Sequence, residues 1–212
     1  PTLEADRRQR QMCIRDSYTA GLRGRKSMSY EGGIRAQSFW RGPGLEPKKV
    51  DRIAAHIDLA PTLCDIAGCK LGPYPNGRLR PDGVSLTRLL IGKRSELDRR
   101  VVLTSYLDTG HRVPTYWSVT TTGASPLAGK ACSKAGKGGC RWMYTEYATG
   151  ETELYDLSNG PCHAWRKSRK GDPCMLENKA GKPRFATVER QLGRELDRLR
   201  GRRTLFLSGR PQ

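Results

Sequence analysis

Short runs of apolar and β-branched residues predict a small β-sheet in the second half of the chain. Two of these runs are Val101–Tyr106 and Tyr116–Thr121, and their composition is typical of strands. A third run, Trp142–Tyr147, is followed by Glu153–Leu157 after the turn-forming segment Ala148–Glu151. Two strand-like runs joined by so short a segment predict a hairpin.

Apolar residues at helical spacing predict an amphipathic helix after this sheet. The segment Phe185–Arg200 places four aliphatic residues on one face: Val188, Leu192, Leu196 and Leu199. Such a stripe is typical of a helix that buries one side, and we expect it to pack on the predicted sheet. The residues after Gly201 are basic, and we expect a frayed tail there.

Three shorter elements are predicted in the first half of the chain. Ala36–Trp40 favours a strand that ends at Gly42-Pro43-Gly44, because glycine and proline interrupt regular structure. A helix is predicted after Asp58, a residue that can cap its first turn, and before Gly68, which ends it. Ser85–Leu90 predicts one or two helical turns.

The predicted helix after Asp58 carries its aliphatic residues on one side. Leu59, Leu63 and Ile66 form that apolar face, and Pro61 lies in the first turn, where its missing N–H group costs nothing. Loops rich in glycine, proline or lysine are predicted at Leu71–Arg80, Gly123–Gly139 and Asn159–Gly171.

Composition indicates a folded, strongly basic chain. Its 212 residues include 39 Lys and Arg against 21 Asp and Glu, a formal charge of +18, and 36% are hydrophobic. A basic field attracts polyanions such as sulfated glycans or nucleic acid, although an Arg-rich composition also arises from a GC-rich genome. No run approaches the roughly 20 apolar residues of a membrane-spanning helix, and no signal peptide is found in this chain.

The first 17 residues differ from the rest. They are polar, rich in arginine and without helical or strand periodicity. We therefore expect residues 1–17 to be a non-native or disordered leader.

Setting aside Cys13 in that leader, the cysteines form three sequence-local couples. We favour disulfides between Cys64 and Cys69, between Cys132 and Cys140, and between Cys162 and Cys174, although six cysteines allow other pairings. Disulfides imply an oxidising, exported setting. Zinc binding and free thiols are the alternatives, and zinc lacks a Cys-x-x-Cys spacing here.

Several motifs occur in a recognisable order. They are Gly24-Arg25-Lys26, Tyr30-Glu31-Gly32-Gly33-Ile34-Arg35, His56-Ile57-Asp58-Leu59-Ala60-Pro61-Thr62-Leu63, Asp82-Gly83-Val84-Ser85-Leu86 and Glu153-Leu154-Tyr155-Asp156-Leu157. Their order and spacing resemble the C-terminal part of a type I sulfatase, over roughly residues 18 to 200.

The resemblance implies an α/β fold, a partial alkaline-phosphatase-like sandwich followed by a small C-terminal antiparallel sheet with a packed helix. It divides the chain into residues 18–98, from the sulfatase α/β domain, residues 99–200, the C-terminal subdomain, and a basic tail at 201–212. The strands that would cover Ala36–Trp40 and the helix after Asp58 would precede this chain. We therefore expect an exposed apolar side.

The family hydrolyses sulfate monoesters with a calcium ion and a formylglycine made in a Cys/Ser-x-Pro-x-Arg motif. That motif is absent from the sequence; the segment Cys162-His163-Ala164-Trp165-Arg166 lacks its proline. The calcium ligands of the family are also expected upstream of Tyr18. The resemblance thus implies a secreted or periplasmic sulfatase fragment that is inactive alone, acting on a sulfated small molecule or glycan.

Lys26 is the candidate active-site residue that the resemblance carries over. It lies four residues before Tyr30, where the family has a lysine that contacts the sulfate, and Ser27 replaces the glycine that usually follows. An ammonium group donates three hydrogen bonds and can stabilise charge on a leaving oxygen. Without the motif, Lys26 would be read as a solvated surface charge. Gly32 and Gly33 are expected to serve the adjoining turn.

His56 and His111 are weaker candidates for substrate binding. His56 could instead satisfy buried backbone groups at the helix entry, and His111 could be an exposed loop residue. Two alternative functions remain open: a phosphodiesterase or phosphatase of the same superfamily, and a non-enzymatic module that binds polyanions through Lys130, Lys134, Lys137 and Arg166–Lys170. Nucleic acid is disfavoured because no zinc-finger spacing or RNA-binding signature is found.

Overall fold

The computed structural model describes residues 22–50, 52–73, 82–94, 97, 99–108, 113–122, 141–157 and 175–207. The chain divides into two compact units. Of the described residues, the sheet unit contains those up to 36, those at 103–120 and those from 141 onward, and the helical unit contains those at 37–102 and 121–122. Among the helices described, none is long and apolar enough to cross a membrane.

Four strands form a sheet in the order β1-β2-β3-β4. Their bounds are β1 Val101–Tyr106, β2 Tyr116–Thr121, β3 Trp142–Tyr147 and β4 Thr152–Asp156. β2 pairs with β3 and β3 with β4, both antiparallel, with Val119 opposite Tyr144 and Tyr144 opposite Leu154. The predicted sheet and its hairpin are confirmed. Gly150 has φ +91° in the β3–β4 turn, a conformation that favours glycine.

A long helix packs on this sheet, as predicted. A 3₁₀-helix, Pro183–Phe185, leads into α4, Ala186–Leu207. The predicted stripe is buried at Val188, Leu192 and Leu196. Where the helix begins, the rings of Phe185 and Trp142 lie 5.6 Å apart.

The helix is longer than predicted. It continues through Gly201 to Leu207, seven residues beyond the predicted end at Arg200. Gly201 lacks the positive φ that marks a helix-ending glycine, and no proline follows before Leu207. A glycine inside a helix lowers helix propensity by only about 1 kcal/mol, so it does not end this helix.

The helical unit is built from short elements. A 3₁₀-helix, His56–Asp58, runs directly into α2, Leu59–Ile66, and α3 spans Thr87–Leu90. Leu86, Leu89 and Leu97 form its core, and the partly buried aliphatic and aromatic residues against it are Trp40, Val50, Val84 and Leu90. The one or two helical turns predicted at Ser85–Leu90 are confirmed as the single turn Thr87–Leu90, and the helix predicted after Asp58 is confirmed too.

The prediction of a strand at Ala36–Trp40 is wrong. Residues 36–40 form neither helix nor strand, and 36–39 are exposed. A β-leaning sequence needs a neighbouring strand to supply hydrogen bonds, and this segment has none among the described residues.

The apolar face of α2 lies in solvent, which agrees with the exposed apolar side expected from the sequence. Leu63 is 58% exposed and Ile66 61%, and Phe39 in the preceding segment reaches 88%. The buried residues of α2 are instead Thr62 and Cys64. The aliphatic stripe of this helix is therefore available to another surface.

Candidate functional site

Lys26 lies at the tip of a tight turn. The backbone N–H of Met28 donates to the carbonyl oxygen of Arg25 at 3.0 Å, which closes a four-residue turn. Ser27, its third residue, has φ +75°, and it is the one non-glycine residue with positive φ in the described ranges. Positive φ at the third position alone is the mark of a type II turn, which favours glycine there. The resembling family usually has glycine at this position, and the backbone conformation of Ser27 is one that favours glycine.

The Lys26 side chain is exposed. Within the described ranges, no hydrogen bond or ion pair holds its ammonium group, whereas its neighbours Arg23 and Tyr30 are both bonded to the sheet. An exposed ammonium on an anchored turn is free to bind an anion.

The double glycine allows the lysine turn to pack closely against the first turn of α1, which spans Glu31–Ile34. A Cβ atom added to Gly33 would lie 2.3 Å from the carbonyl oxygen of Met28 and 2.5 Å from that of Arg25. One added to Gly32 would lie 2.6 Å from the Arg23 carbonyl oxygen, which accepts the Gly32 N–H at 2.8 Å. Neither glycine has positive φ. Close approach of backbones therefore explains both.

A cluster of phenols around one carboxylate anchors the turn to the sheet. Tyr30 donates to Oε1 of Glu153 at 2.8 Å, and Tyr147 donates to Oε2 at 3.1 Å. The guanidinium of Arg23 lies 3.9 Å from the centre of the Tyr30 ring and donates to the Tyr155 hydroxyl at 3.1 Å. Because Arg23 and Tyr30 lie on either side of Lys26 in sequence, both arms of the turn are held.

Both phenols are protonated at neutral pH, and burial raises their pKa further. Burial raises the pKa of Tyr147 to about 12. It also raises the pKa of Tyr30 far above the ordinary value, and the hydrogen bond to Glu153 adds to that rise. Both hydroxyls are therefore donors to Glu153 at neutral pH.

Sequence reasoning placed Glu153 in the hairpin and missed its contacts. The one available signal was the register of the hairpin, which places Glu153 opposite Thr145 on β3, the strand that also carries Tyr147. The other phenol, Tyr30, comes from a segment 123 residues away. Such contacts depend on the path of the chain between distant segments, which strand spacing alone does not give.

An open pocket lies beside the turn. It has a volume of about 150 Å³ and is lined by Met28, Ser29, Tyr30, Val113, Pro114 and Tyr147. Three of the lining residues come from the segment that follows Lys26, and the other three come from β3 and the segment before β2. Lys26 itself is not among the lining residues.

Of the two candidate histidines, His56 lies within the described residues. His56 is exposed at the start of the 3₁₀-helix in the helical unit, and among the described residues no hydrogen bond joins its ring to a buried backbone group. That role belongs to Asp58, whose carboxylate accepts the backbone N–H groups of Ala55 and Val84 at 2.8 and 3.0 Å. His111 lies outside the described residues.

One of the predicted disulfides is present. Cys64 and Cys69 are bonded, with Cα atoms 4.9 Å apart. The remaining predicted disulfide residues, Cys132, Cys140, Cys162 and Cys174, lie outside the described residues, as do the leader 1–17 and the basic segments around Lys130 and Arg166–Lys170.

A calcium ion does not fit the described part of the chain. No group of three or more His, Cys, Asp or Glu side chains there is arranged to hold a metal ion.

Curated relatives match the chain over parts of its length. It is 30% identical to N-acetylglucosamine-6-sulfatase of Bos taurus over 166 residues, which are 71% of this chain and 29% of the relative. It is 36% identical to N-acetylglucosamine-6-sulfatase of Homo sapiens over 89 residues, 42% of this chain and 15% of the relative. It is 42% identical to arylsulfatase A of Homo sapiens over 73 residues, 34% of this chain and 13% of the relative.

The chain thus spans less than a third of the length of these relatives. No family model matches it. The matches to curated relatives confirm the resemblance predicted from the order of the motifs.

Proposed function

Because the chain is homologous to sulfatases over part of their length, we propose that it forms the C-terminal portion of an enzyme that hydrolyses sulfate monoesters. In this proposal, Lys26 binds a sulfate oxygen of the substrate. The observation that carries it is the turn at Lys26, where an exposed ammonium stands before the positive-φ position that the family fills with glycine.

The chemistry of lysine suits this role. Its ammonium is a compact charge with three donors, and it can bind a sulfate oxygen while negative charge grows on the leaving ester oxygen. A donor on an anchored backbone loses less freedom when the transition state forms than one on a mobile segment. The contacts of Arg23 and Tyr30 with the sheet supply that anchoring.

The nucleophile and metal ligands would come from sequence upstream of this chain. Two observations support that proposal: the Cys/Ser-x-Pro-x-Arg motif is absent from the sequence, and the aliphatic face of α2 is exposed. We propose that the upstream strands of an alkaline-phosphatase-like sandwich cover this face. The formylglycine and calcium of the complete enzyme would supply the nucleophile and the positive charge that this chain lacks, so the chain alone is expected to be inactive.

A sulfated glycan is the substrate class we favour. Two of the relatives are named for a sulfated sugar, and the formal charge of +18 would attract a polyanionic chain. The Cys64–Cys69 disulfide supports an oxidising, exported setting for the enzyme.

Turnover of 4-nitrophenyl sulfate by the full-length enzyme tests the role of Lys26. Lys26→Ala should lower kcat/KM by about 100-fold or more, the loss that removing one charge-stabilising donor causes. Lys48→Ala is the matched control, since Lys48 is exposed and donates only to the carbonyl oxygen of Leu89 among its described contacts. Equal turnover by Lys26→Ala and the wild type would refute the role.

A further inference from the structure

The lysine turn is held to the sheet through three side chains. They are Arg23, three residues before Lys26, and Ser29 and Tyr30, three and four residues after it. Each of them hydrogen-bonds to a phenol or carboxylate of β3 or β4. The position of the Lys26 ammonium therefore depends on how these bonds are arranged.

The direction of each bond follows from counting hydrogens. A phenol has one O–H, and Tyr30 and Tyr147 both give theirs to Glu153. Ser29, whose Oγ lies 2.8 Å from the Tyr147 hydroxyl, must then be the donor of that bond. Likewise, Tyr30 can only accept the bond from Arg23, at 3.0 Å. The bonds that pass through Tyr30 and Tyr147 thus all end at Glu153.

Arg23 completes the cluster from the other arm of the turn. Its guanidinium lies against the Tyr30 ring and also donates to the main-chain carbonyl oxygen of Met175. A planar guanidinium that is stacked and hydrogen-bonded at the same time has little freedom to move. Arg23 and Tyr30 therefore move together, and Glu153 fixes the hydroxyl through which they are joined.

We propose that Glu153 is a positioning residue for Lys26. Its carboxylate accepts both phenols, holds the two arms of the turn at a fixed separation and so sets the direction in which the ammonium meets a sulfate oxygen. This inference rests on the proposed function, since the position of Lys26 matters for catalysis only if Lys26 binds the ester.

Replacing Glu153 by glutamine separates this role from general packing. Glutamine has almost the same size, but it has one acceptor oxygen and an NH₂ group that only donates. One of the two phenols then loses its acceptor, and the turn loosens. Glu151→Gln is the matched control, because Glu151 is exposed in the adjoining hairpin turn and its described contact is made by its main chain.

Limited trypsin digestion of the 212-residue chain measures the anchoring directly. Trypsin cleaves after Arg25 and Lys26, and mass spectrometry gives the rate at these bonds and at the Lys49–Val50 bond of the helical unit. Glu153→Gln should speed cleavage at Lys26 about tenfold, which corresponds to about 1.4 kcal/mol, and should leave the Lys49 site unchanged. Equal acceleration at both sites, or none at Lys26, would overturn the proposal.

A double-mutant cycle in the full-length enzyme tests the link to catalysis. Glu153→Gln should lower kcat about tenfold when Lys26 is present and change it less than twofold in the Lys26→Ala background, because it acts through Lys26. An equal loss in both backgrounds would mean a structural role and would overturn the proposal.

The experiments distinguish a failure of the proposed function from a failure of the positioning role of Glu153. If Lys26→Ala lowers turnover but Glu153→Gln does not, the positioning role is wrong and the proposed function stands. If Lys26→Ala has no effect, the proposed function is wrong, and the catalytic role of Glu153 is overturned with it.

Discussion

Replacing Arg99 by alanine should destabilise the helical unit strongly. The Asp58 side chain is fully buried, and Arg99 donates to it at 2.8 and 2.5 Å through two nitrogens. Without Arg99, the carboxylate would keep the backbone N–H groups of Ala55 and Val84 but lose its charged partner. A buried charge that loses its partner costs about 3 to 5 kcal/mol.

The pair also predicts a dependence on pH. Burial alone would raise the pKa of Asp58, but the hydrogen bonds from Arg99, Val84 and Ala55 outweigh it and lower the pKa below the ordinary value. The stabilisation is then fully present above the unfolded pKa, about 3.9, and is lost as the pH falls through the folded pKa. In Arg99→Ala the pKa should rise, so acid unfolding of this unit should begin at a higher pH.

Urea denaturation followed by tryptophan fluorescence measures the effect, since Trp40 packs against the core of the same unit. A loss of 3 to 5 kcal/mol should lower the urea midpoint by about 2 M. Arg100→Ala is the control, because Arg100 is exposed beside Arg99. A change in the free energy of unfolding below about 1 kcal/mol in Arg99→Ala would refute the importance of the pair.

Three further changes have defined outcomes. Ser27→Gly should raise the free energy of unfolding by about 1 kcal/mol, because it removes a positive-φ side chain; a lower melting temperature would contradict this. Gly33→Ala should cost on the order of 2 kcal/mol, since its Cβ would meet the Met28 carbonyl oxygen at 2.3 Å, and calorimetry that shows no loss would oppose it. Reducing the Cys64–Cys69 disulfide should cost about 2 kcal/mol, read as a lower melting temperature in dithiothreitol, and an unchanged one would count against it.

Local sequence signals predicted the elements whose neighbours are close in the chain. β1 and β2 begin and end where their β-branched runs do, and the β3–β4 hairpin follows from its short turn. The stripe Val188–Leu192–Leu196 predicted the buried side of α4. In α4, helix periodicity alone decides which side chains are buried; in β2 and β3, residues 118–121 and 142–145 are buried on both faces of the sheet.

Sequence signals gave wrong predictions where the structure of a segment depends on a partner that lies far away in the chain. Ala36–Trp40 has strand composition but no adjacent strand among the described residues, so propensity alone was not enough. The role of Asp58 was predicted as a helix cap, but its carboxylate makes no capping bond to α2 and instead binds Arg99, 41 residues away.

In the candidate site too, the local features could be predicted from the sequence and the long-range contacts could not. The motif around Lys26 and the need for small residues at Gly32 and Gly33 were readable from the sequence. The anchoring by Glu153 was not, because it joins residues more than 100 positions apart. Long-range polar contacts of this kind leave no periodic pattern in a single sequence.

Protection of Lys26 from an amine-reactive reagent tests the central claim most directly. The full-length enzyme is treated with acetic anhydride with and without inorganic sulfate, and mass spectrometry compares acetylation of Lys26 with that of the exposed Lys49. If Lys26 binds the sulfate group, saturating sulfate should slow its acetylation about tenfold and leave Lys49 unchanged. Equal acetylation of Lys26 with and without sulfate would contradict the account.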